Sequence, residues 1–273
     1  MLKLKSYQKN KNELQSEYEK TFKKLKVENY KNVFITTNLS KLGNYKLPIK
    51  VKLDIIYKSL IKSIGKNYTI FCPGMSMGLM KSKSPFIKKK TLAENVGRLP
   101  NFILKKKKSE RNIHPYWSII GIGKNSKILK KITINCFDKK SPWPDMIKLN
   151  TLQLHIDIDP YKSITLLHHI ETILKVPYRL NKNLTHTVRI RNKKKDIIFQ
   201  YPLRHKKILN LSDKNKNKIL FKELAREKKI FYYRNKFNQK CWSFSMKDFS
   251  KIAMKKISKN NFFLLKKKPN IRY

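Results

Sequence analysis

Apolar and polar positions alternate along this chain with two different periods, and each change of period marks an element. VFITTNLS (33–40), YTIFCPG (68–74), WSIIGIG (117–123), KITINCF (131–137) and TLQLHIDID (151–159) are short runs rich in β-branched and aromatic residues and read as strands. LPIKVKLDIIYKSLIKSIG (47–65), ITLLHHIETILK (164–175), KILFKELAREKKI (218–230) and SMKDFSKIAMKKISKN (245–260) place apolar residues three and four apart and read as helices. Gly65 supplies a stop for the first of these, and Ser245 with Asp248 fits a capping box at the start of the last. The lysine- and glutamate-bearing stretch 9–30 reads as helical. TLAENVGRLPNFILKKK (91–107) starts helically, with Thr91 as cap and Glu94 at the capping-box position, and its Pro100 must lie at a helix start or a break. Residues 76–90 are loop-like. THTVRI and DIIFQYPL predict a hairpin about the lysine run 193–195.

Strands alternating with helices predict an α/β fold: a central mixed β-sheet flanked by helices, with a β-rich insertion after helix 164–175. The expected organisation is a single domain over 1–273, with an N-terminal helical extension (1–30) and a β-hairpin insertion at about 181–220. No internal repeat is present.

Composition leaves that picture in place and adds one anomaly. At 40% apolar residues the chain is globular rather than disordered. Sixty-five Lys and Arg against 17 Asp and Glu give a net charge of +48, an excess that ordinarily points to a nucleic acid or another polyanion. An A/T-biased genome is the competing cause, since Ala occurs only three times while Lys, Asn and Ile abound; it leaves the shortage of Glu unexplained. Cys72, Cys136 and Cys241 form no CxxC, so neither a disulfide framework nor a metal site is expected. No leader-like segment and no apolar run approaching ~20 residues is present, and a reducing, cytoplasmic setting without a membrane partner is expected.

The residues with the clearest chemistry are His168 and Glu171. Positions i and i+3 share a helix face, and an imidazole beside a carboxylate can take a proton from an attacking nucleophile near neutral pH. The bland reading of the same pair is a buried helix histidine bonded to a neighbouring carboxylate. His155, His186 and His205 read as structural or exposed. Asp157 and Asp159 read as loop caps or as contacts to a cationic substrate.

Several motifs fall in one order: NLSKLGN (38–44), GKNYTIFCPGMS (65–76), ENVGRLPNFILKKKKSERNIHPYWSIIGIGKN (94–125), SPWPDMIKL (141–149), TLLHHIE (165–171), VPYR (176–179) and CWSFSMKDFSKIAMKKISKNNFFLL (241–265). In that order they resemble the aminoglycoside 3-N-acetyltransferase family, the antibiotic acetyltransferases distinct from the GNAT fold, over roughly residues 30 to 265. The resemblance implies acetyl transfer from acetyl-coenzyme A to an amine by direct attack on the thioester, with no metal. It maps the family's His-x-x-Glu onto His168, as general base, and Glu171. It makes Thr37, Asn38, Leu39 and Ser40 in the first turn, with Pro73, Gly74 and Ser76 in the second, candidates for the pantetheine and pyrophosphate. His114 and Ser118 follow as candidates near the thioester, and Lys124 as a phosphate partner. The family commonly has His-Ser-Ser where Thr36-Thr37-Asn38 stand, a glycine pair where Asn44-Tyr45-Lys46 stand, and in many members a second histidine where Trp117 stands. The expected partner is a small-molecule amine, an aminoglycoside or amino sugar. The excess of positive charge disfavours a polycationic drug and favours an amino sugar carrying a nucleotide or phosphate. Two alternatives stay open: a lysine-rich RNA-binding or ribosomal protein, and an acetyltransferase fold that has lost its activity.

Overall fold

The computed structural model describes residues 2–43, 45–205, 208, 211 and 213–269. Its frame is a seven-stranded mixed sheet. β1 (Asn32–Thr37) lies between β2 (Thr69–Met75) and β6 (Leu152–Ile156), and the three run parallel. β5 (Trp117–Gly123) pairs antiparallel with β2 and carries the two-residue β4 (Glu110–Arg111) at the edge. β10 (Lys240–Ser245) pairs antiparallel with β6 and carries β9 (Ile230–Arg234). A second sheet joins the short β3 (Phe86–Ile87) to a long hairpin of β7 (Arg179–Ile190) and β8 (Lys193–Arg204).

Side chains alternate across the central sheet and build two cores. Val33, Ile35, Ile70, Cys72, Leu152 and Leu154 face one way. There they meet α1 (Leu2–Lys24), α2 (Ile49–Ile64) and α3 (Leu99–Leu104). Phe34, Phe71, Ile119 and Phe244 face the other way. They meet α4 (Pro142–Lys148), α5 (Leu166–Ile173), α6 (Lys214–Arg226) and α7 (Met246–Lys259). A buried Phe or Leu contributes roughly 1.5–3 kcal/mol. Leu14, Tyr18 and Phe22 are fully buried, so α1 is part of the first core. Among the described residues no helix is long and apolar enough to cross a membrane.

The structure departs from the sequence reading in several places. Residues 91–98 are not helical: Thr91 Oγ1 accepts from the Ile87 amide at 2.8 Å, Glu94 Oε2 accepts from the Gly78 amide at 2.8 Å, and the helix begins at Leu99 with Pro100 in its first turn. Both polar residues cap other loops instead of their own helix. KITINCF forms no strand, because only the isolated bridges Ile113↔Ile132 and Asn135↔Gln200 hold it, and Ile132 and Ile134 remain exposed. The lysine run 193–195 opens β8, and the hairpin turns at Arg191 and Asn192, both at positive φ. Of the proposed insertion, residues 206, 207, 209, 210 and 212 lie outside the described residues, as does Asn44.

Candidate active site

The carboxyl ends of β1, β2 and β6 meet at one edge of the sheet, where open α/β folds place their ligands. Two clefts open there. The first, about 440 Å³, is lined by Thr36, Pro73, Met75, Trp117, His168 and Glu171, among others. The second, about 710 Å³, is lined by Thr37, Asn38, Leu39, Ser40, Lys52, Gly97 and Arg98, among others. They share Asn95, Val96 and Ile158, so they are contiguous. Gly97 makes this junction possible: its φ is +81°, and a Cβ there would stand 2.7 Å from the Thr37 carbonyl oxygen.

His168 sits in the first turn of α5, with 29% of its side chain exposed to the first cleft. Trp117 and Phe137 meet its ring edge-on, with centroids at 5.9 and 5.4 Å. Glu171 is fully buried one turn on. Its Oε1 accepts from the Tyr178 hydroxyl at 3.0 Å, and its Oε2 accepts from Arg179 Nε at 2.8 Å and from Arg179 Nη2. His168 Nδ1 lies 3.3 Å from Glu171 Oε2 and 2.6 Å from Arg179 Nη2. Arg204 Nη2 stands 3.8 Å from Glu171 Oε1. Among the described residues no protein partner reaches His168 Nε2. Burial acts first on both groups. It lowers the His168 pKa, against the hydrogen bond to Glu171, and Arg179 lowers it further. It would raise that of Glu171, but the bond to His168 and the charges of Arg179 and Arg204 outweigh it and hold the carboxyl at about 2. At neutral pH the pair is therefore a carboxylate beside a neutral imidazole.

A second histidine backs the same cleft. Thr36 Oγ1 lies 2.9 Å from Nδ1 of His155, whose ring stacks on Phe244. Burial drives the His155 pKa down to about 3, and its Nε2 is buried with no partner among the described residues.

The remaining candidates divide. Thr37, Asn38, Leu39 and Ser40 line the second cleft, and Pro73 lines the first. Gly74, Ser76 and Ser118 line neither; they are tied to buried Arg111. Its Nη2 donates to the Gly74 carbonyl at 2.5 Å and to Ser76 Oγ at 2.9 Å, and its Nε donates to Ser118 Oγ at 2.7 Å. Among the described residues no carboxylate faces that guanidinium, and burial lowers its pKa to about 9. His114 is fully buried, with Nδ1 accepting from the amides of Tyr116 and Trp117 at 3.3 and 3.0 Å; it shapes the turn that delivers Trp117. Lys124 follows Gly123, which pairs with Thr69 at the amino end of β2, about 20 Å along the strand from Trp117. The sequence reading gave no site role to Thr36, Arg179, Arg204 or Arg98. Arg179 ends VPYR and Arg98 lies in VGRLP, so both stood in recognised motifs without a role.

The second cleft fits a long phosphorylated thiol cofactor. Among the described residues no carboxylate lines it and Thr37 Oγ1 is buried beside it without a partner, while Lys52 and Arg98 line its wall. An adjoining groove adds Lys50 and Lys105. Among the described residues no three His, Cys, Asp or Glu side chains are grouped to hold a metal ion.

The family model described as aminoglycoside 3-N-acetyltransferase matches residues 35–258. No curated protein matches the sequence. Among solved structures, the aminoglycoside acetyltransferase AAC(3)-IIb superposes with a TM-score of 0.75 at 12% identity, over 90% of this chain and 97% of that one. AAC-IIIb, solved as a binary complex with CoASH, gives 0.74 at 13% identity over 90% and 96%. AAC-VIa bound to sisomicin gives 0.73 at 12% identity over 88% and 96%. At such identities these likenesses establish the fold.

Proposed function

The chain belongs to the aminoglycoside 3-N-acetyltransferase family and is an acetyltransferase; from that premise we propose that it moves an acetyl group from acetyl-CoA to an amine of an aminoglycoside or amino sugar, with His168 as general base. The observation that carries this reading is the position of His168: it is neutral, braced by Glu171, and opens on a cleft continuous with one that no carboxylate lines among the described residues.

The binding of CoASH belongs to AAC-IIIb; for this chain the second cleft is the corresponding proposal. Thr37, Asn38, Leu39 and Ser40 would line the pantetheine, and Arg98, Lys50 and Lys105 the phosphates. When bound, the cofactor supplies an acetyl thioester. The acceptor nitrogen bonds to the acetyl carbon, the carbon–sulfur bond breaks, and CoA leaves as the thiol.

An alkyl ammonium has no lone pair to offer, so a proton must leave it first. Nε2 of His168 is the acceptor, which requires the ring's own proton to sit on Nδ1 and point at Glu171. Arg179 opposes this, because a guanidinium can only donate and its Nη2 lies closer to Nδ1 than the carboxylate does. The base form therefore needs Nη2 to move off Nδ1 while Nε keeps its bond to Glu171. Thr36 takes a second role. Orphaned buried N–H groups are rarer than unpaired acceptors, so the His155 proton belongs on Nδ1, donating to Thr36 Oγ1. The threonine hydroxyl is then free to donate into the cleft, toward the acyl oxygen on which charge develops.

The test is thiol release from acetyl-CoA with a panel of amino sugars. His168→Ala should lower kcat by about 10²–10⁴ with CoA binding retained, and Glu171→Gln should lower it less. Wild-type protein that binds CoA and acetylates no amine would identify a fold without activity.

A further inference from the structure

We propose that the open edge of the central sheet binds single-stranded nucleic acid, with unpaired bases stacked on Trp242 and Tyr232 and phosphates held by Lys240 and Arg234. This surface lies outside both clefts, and the proposal does not depend on the acetyltransferase reading.

The platform follows from strand register. β10 pairs with β6 on one side and with the edge strand β9 on the other, so His155, Trp242 and Tyr232 form one row across the sheet. Their side chains share the face that carries Phe34 and Phe244. The next row inward is Gln153, Phe244 and Ile230, and α6 and α7 roof it: Phe244 meets Phe221 and Phe249 with centroids at 5.2 and 5.5 Å. That roof thins over the outer row. Trp242 is half-buried, Tyr232 is 46% exposed, and their ring centroids are 4.3 Å apart. Tyr161, packed against Phe221 at 4.8 Å, meets Trp242 edge-on at 5.6 Å. The indole is therefore held in place before anything binds, and stacking a base on the platform costs little ordering entropy.

The row beyond it on the same face is cationic. Lys240 stands opposite Arg234, two residues or roughly 7 Å along the strands from Trp242 and Tyr232. Both are exposed, and among the described residues no carboxylate forms an ion pair with either; Arg234 Nη1 donates to the amide oxygen of Asn238 at 3.2 Å. The acids on the adjoining loop are engaged. Asp157 Oδ1 accepts from Lys41 Nζ at 2.7 Å and from the Lys240 backbone amide at 3.3 Å. Asp159 Oδ1 accepts from the Tyr161 amide at 2.9 Å, and its Oδ2 stands 4.0 Å from Lys162. Aromatic faces beside two cations suit a base and its phosphate. A duplex keeps its bases stacked on one another and offers no free face, so the strand is single. A neutral sugar could use the rings, but it would leave the cationic row without a counter-charge. The net charge of +48 has no use in the transfer of one acetyl group, and it draws a polyanion to the surface more strongly than a single nucleotide.

Fluorescence anisotropy of a labelled oligothymidylate of about ten nucleotides measures the binding. A DNA duplex of the same length and heparin serve as polyanions that cannot stack. Trp242→Leu and Tyr232→Leu should each weaken single-strand binding by about tenfold, with duplex and heparin affinities unchanged. Tyr232 is exposed enough for its substitution to leave the melting temperature in place, so that variant carries the test if Trp242→Leu does not fold. Lys240→Gln should lower the slope of log K against log salt by about 0.7, the value for one phosphate of a single strand. Undiminished single-strand binding by Tyr232→Leu overturns the proposal, as does a loss shared equally by duplex and heparin; either result would leave diffuse charge as the cause of binding. Wild-type protein that fails to bind the single strand at physiological salt overturns it as well.

Discussion

At the scale of single residues, the pair that the sequence singled out is the pair that opens on the cleft, and the residues that tune it were not legible. His168 and Glu171 are three apart on one helix, so their proximity follows from helical geometry. Arg179 arrives from β7 and Arg204 from the far end of β8, and only the pairing of those strands brings both to Glu171. The influence of Arg179 is measurable. Its charge lowers the His168 pKa, so wild-type kcat/KM should fall on the acid side with an apparent pKa below the ordinary 6.5 of imidazole. Arg179→Met removes a positive neighbour and the competitor for Nδ1, and the acid limb should move to higher pH. A merely structural role would lower activity at every pH and leave the limb in place. Thr36 gives a second test: Thr36→Val should lower kcat by about 10² with little change in the KM for acetyl-CoA, and Thr36→Ser should stay near wild type. Equal loss in both variants would dismiss the hydroxyl as a donor.

Among elements, strands and helices with a clear period were readable, and segments whose polar residues serve distant loops were not. β1, β2, β5 and β6 were visible because alternating apolar residues feed two cores. The segment 91–98 carried a helix-start signal in Thr91 and Glu94, yet both side chains bond backbone amides contributed by other loops, a use that no local pattern encodes. β9 was missed because its exposed edge position leaves IFYYR without alternation. The bend these loops produce depends on Gly97. Gly97→Ala puts a Cβ against the Thr37 carbonyl at positive φ, which should cost roughly 1–3 kcal/mol if the loop holds. If the loop instead gives way, the KM for acetyl-CoA should rise and the acceptor KM should change little, because Gly97 lines the second cleft and its adjoining groove but not the first cleft. Denaturant titration and steady-state kinetics on the same variant separate the two outcomes; an unchanged midpoint with unchanged KM would remove Gly97 from the argument.

Across the whole molecule, buried histidines and surplus charge set the limits of stability. Burial lowers His114 to about 4 and His155 to about 3, so the unfolded chain binds the extra protons between those values and the ordinary 6.5. Stability from these rings is complete above about pH 6.5 and is lost as pH falls toward 4 and 3, each ring contributing several kcal/mol. Urea unfolding at stepped pH should show the steepest loss in that window. Self-repulsion works at every pH. Seventeen acids cannot screen 65 Lys and Arg, and many of those acids already sit in pairs such as Lys41–Asp157 and Lys256–Glu223. The field left over is diffuse, and salt weakens it over distances that shrink from about 10 Å at 0.1 M to about 3 Å at 1 M. Repulsion among many like charges loses more to screening than a few short pairs lose. The melting temperature should therefore climb by several degrees as sodium chloride rises from about 0.05 to about 0.5 M, and sulfate should act at lower concentration. A melting temperature that falls with salt would mean that the short ion pairs, and not the surplus of 48 charges, dominate the electrostatics of the fold.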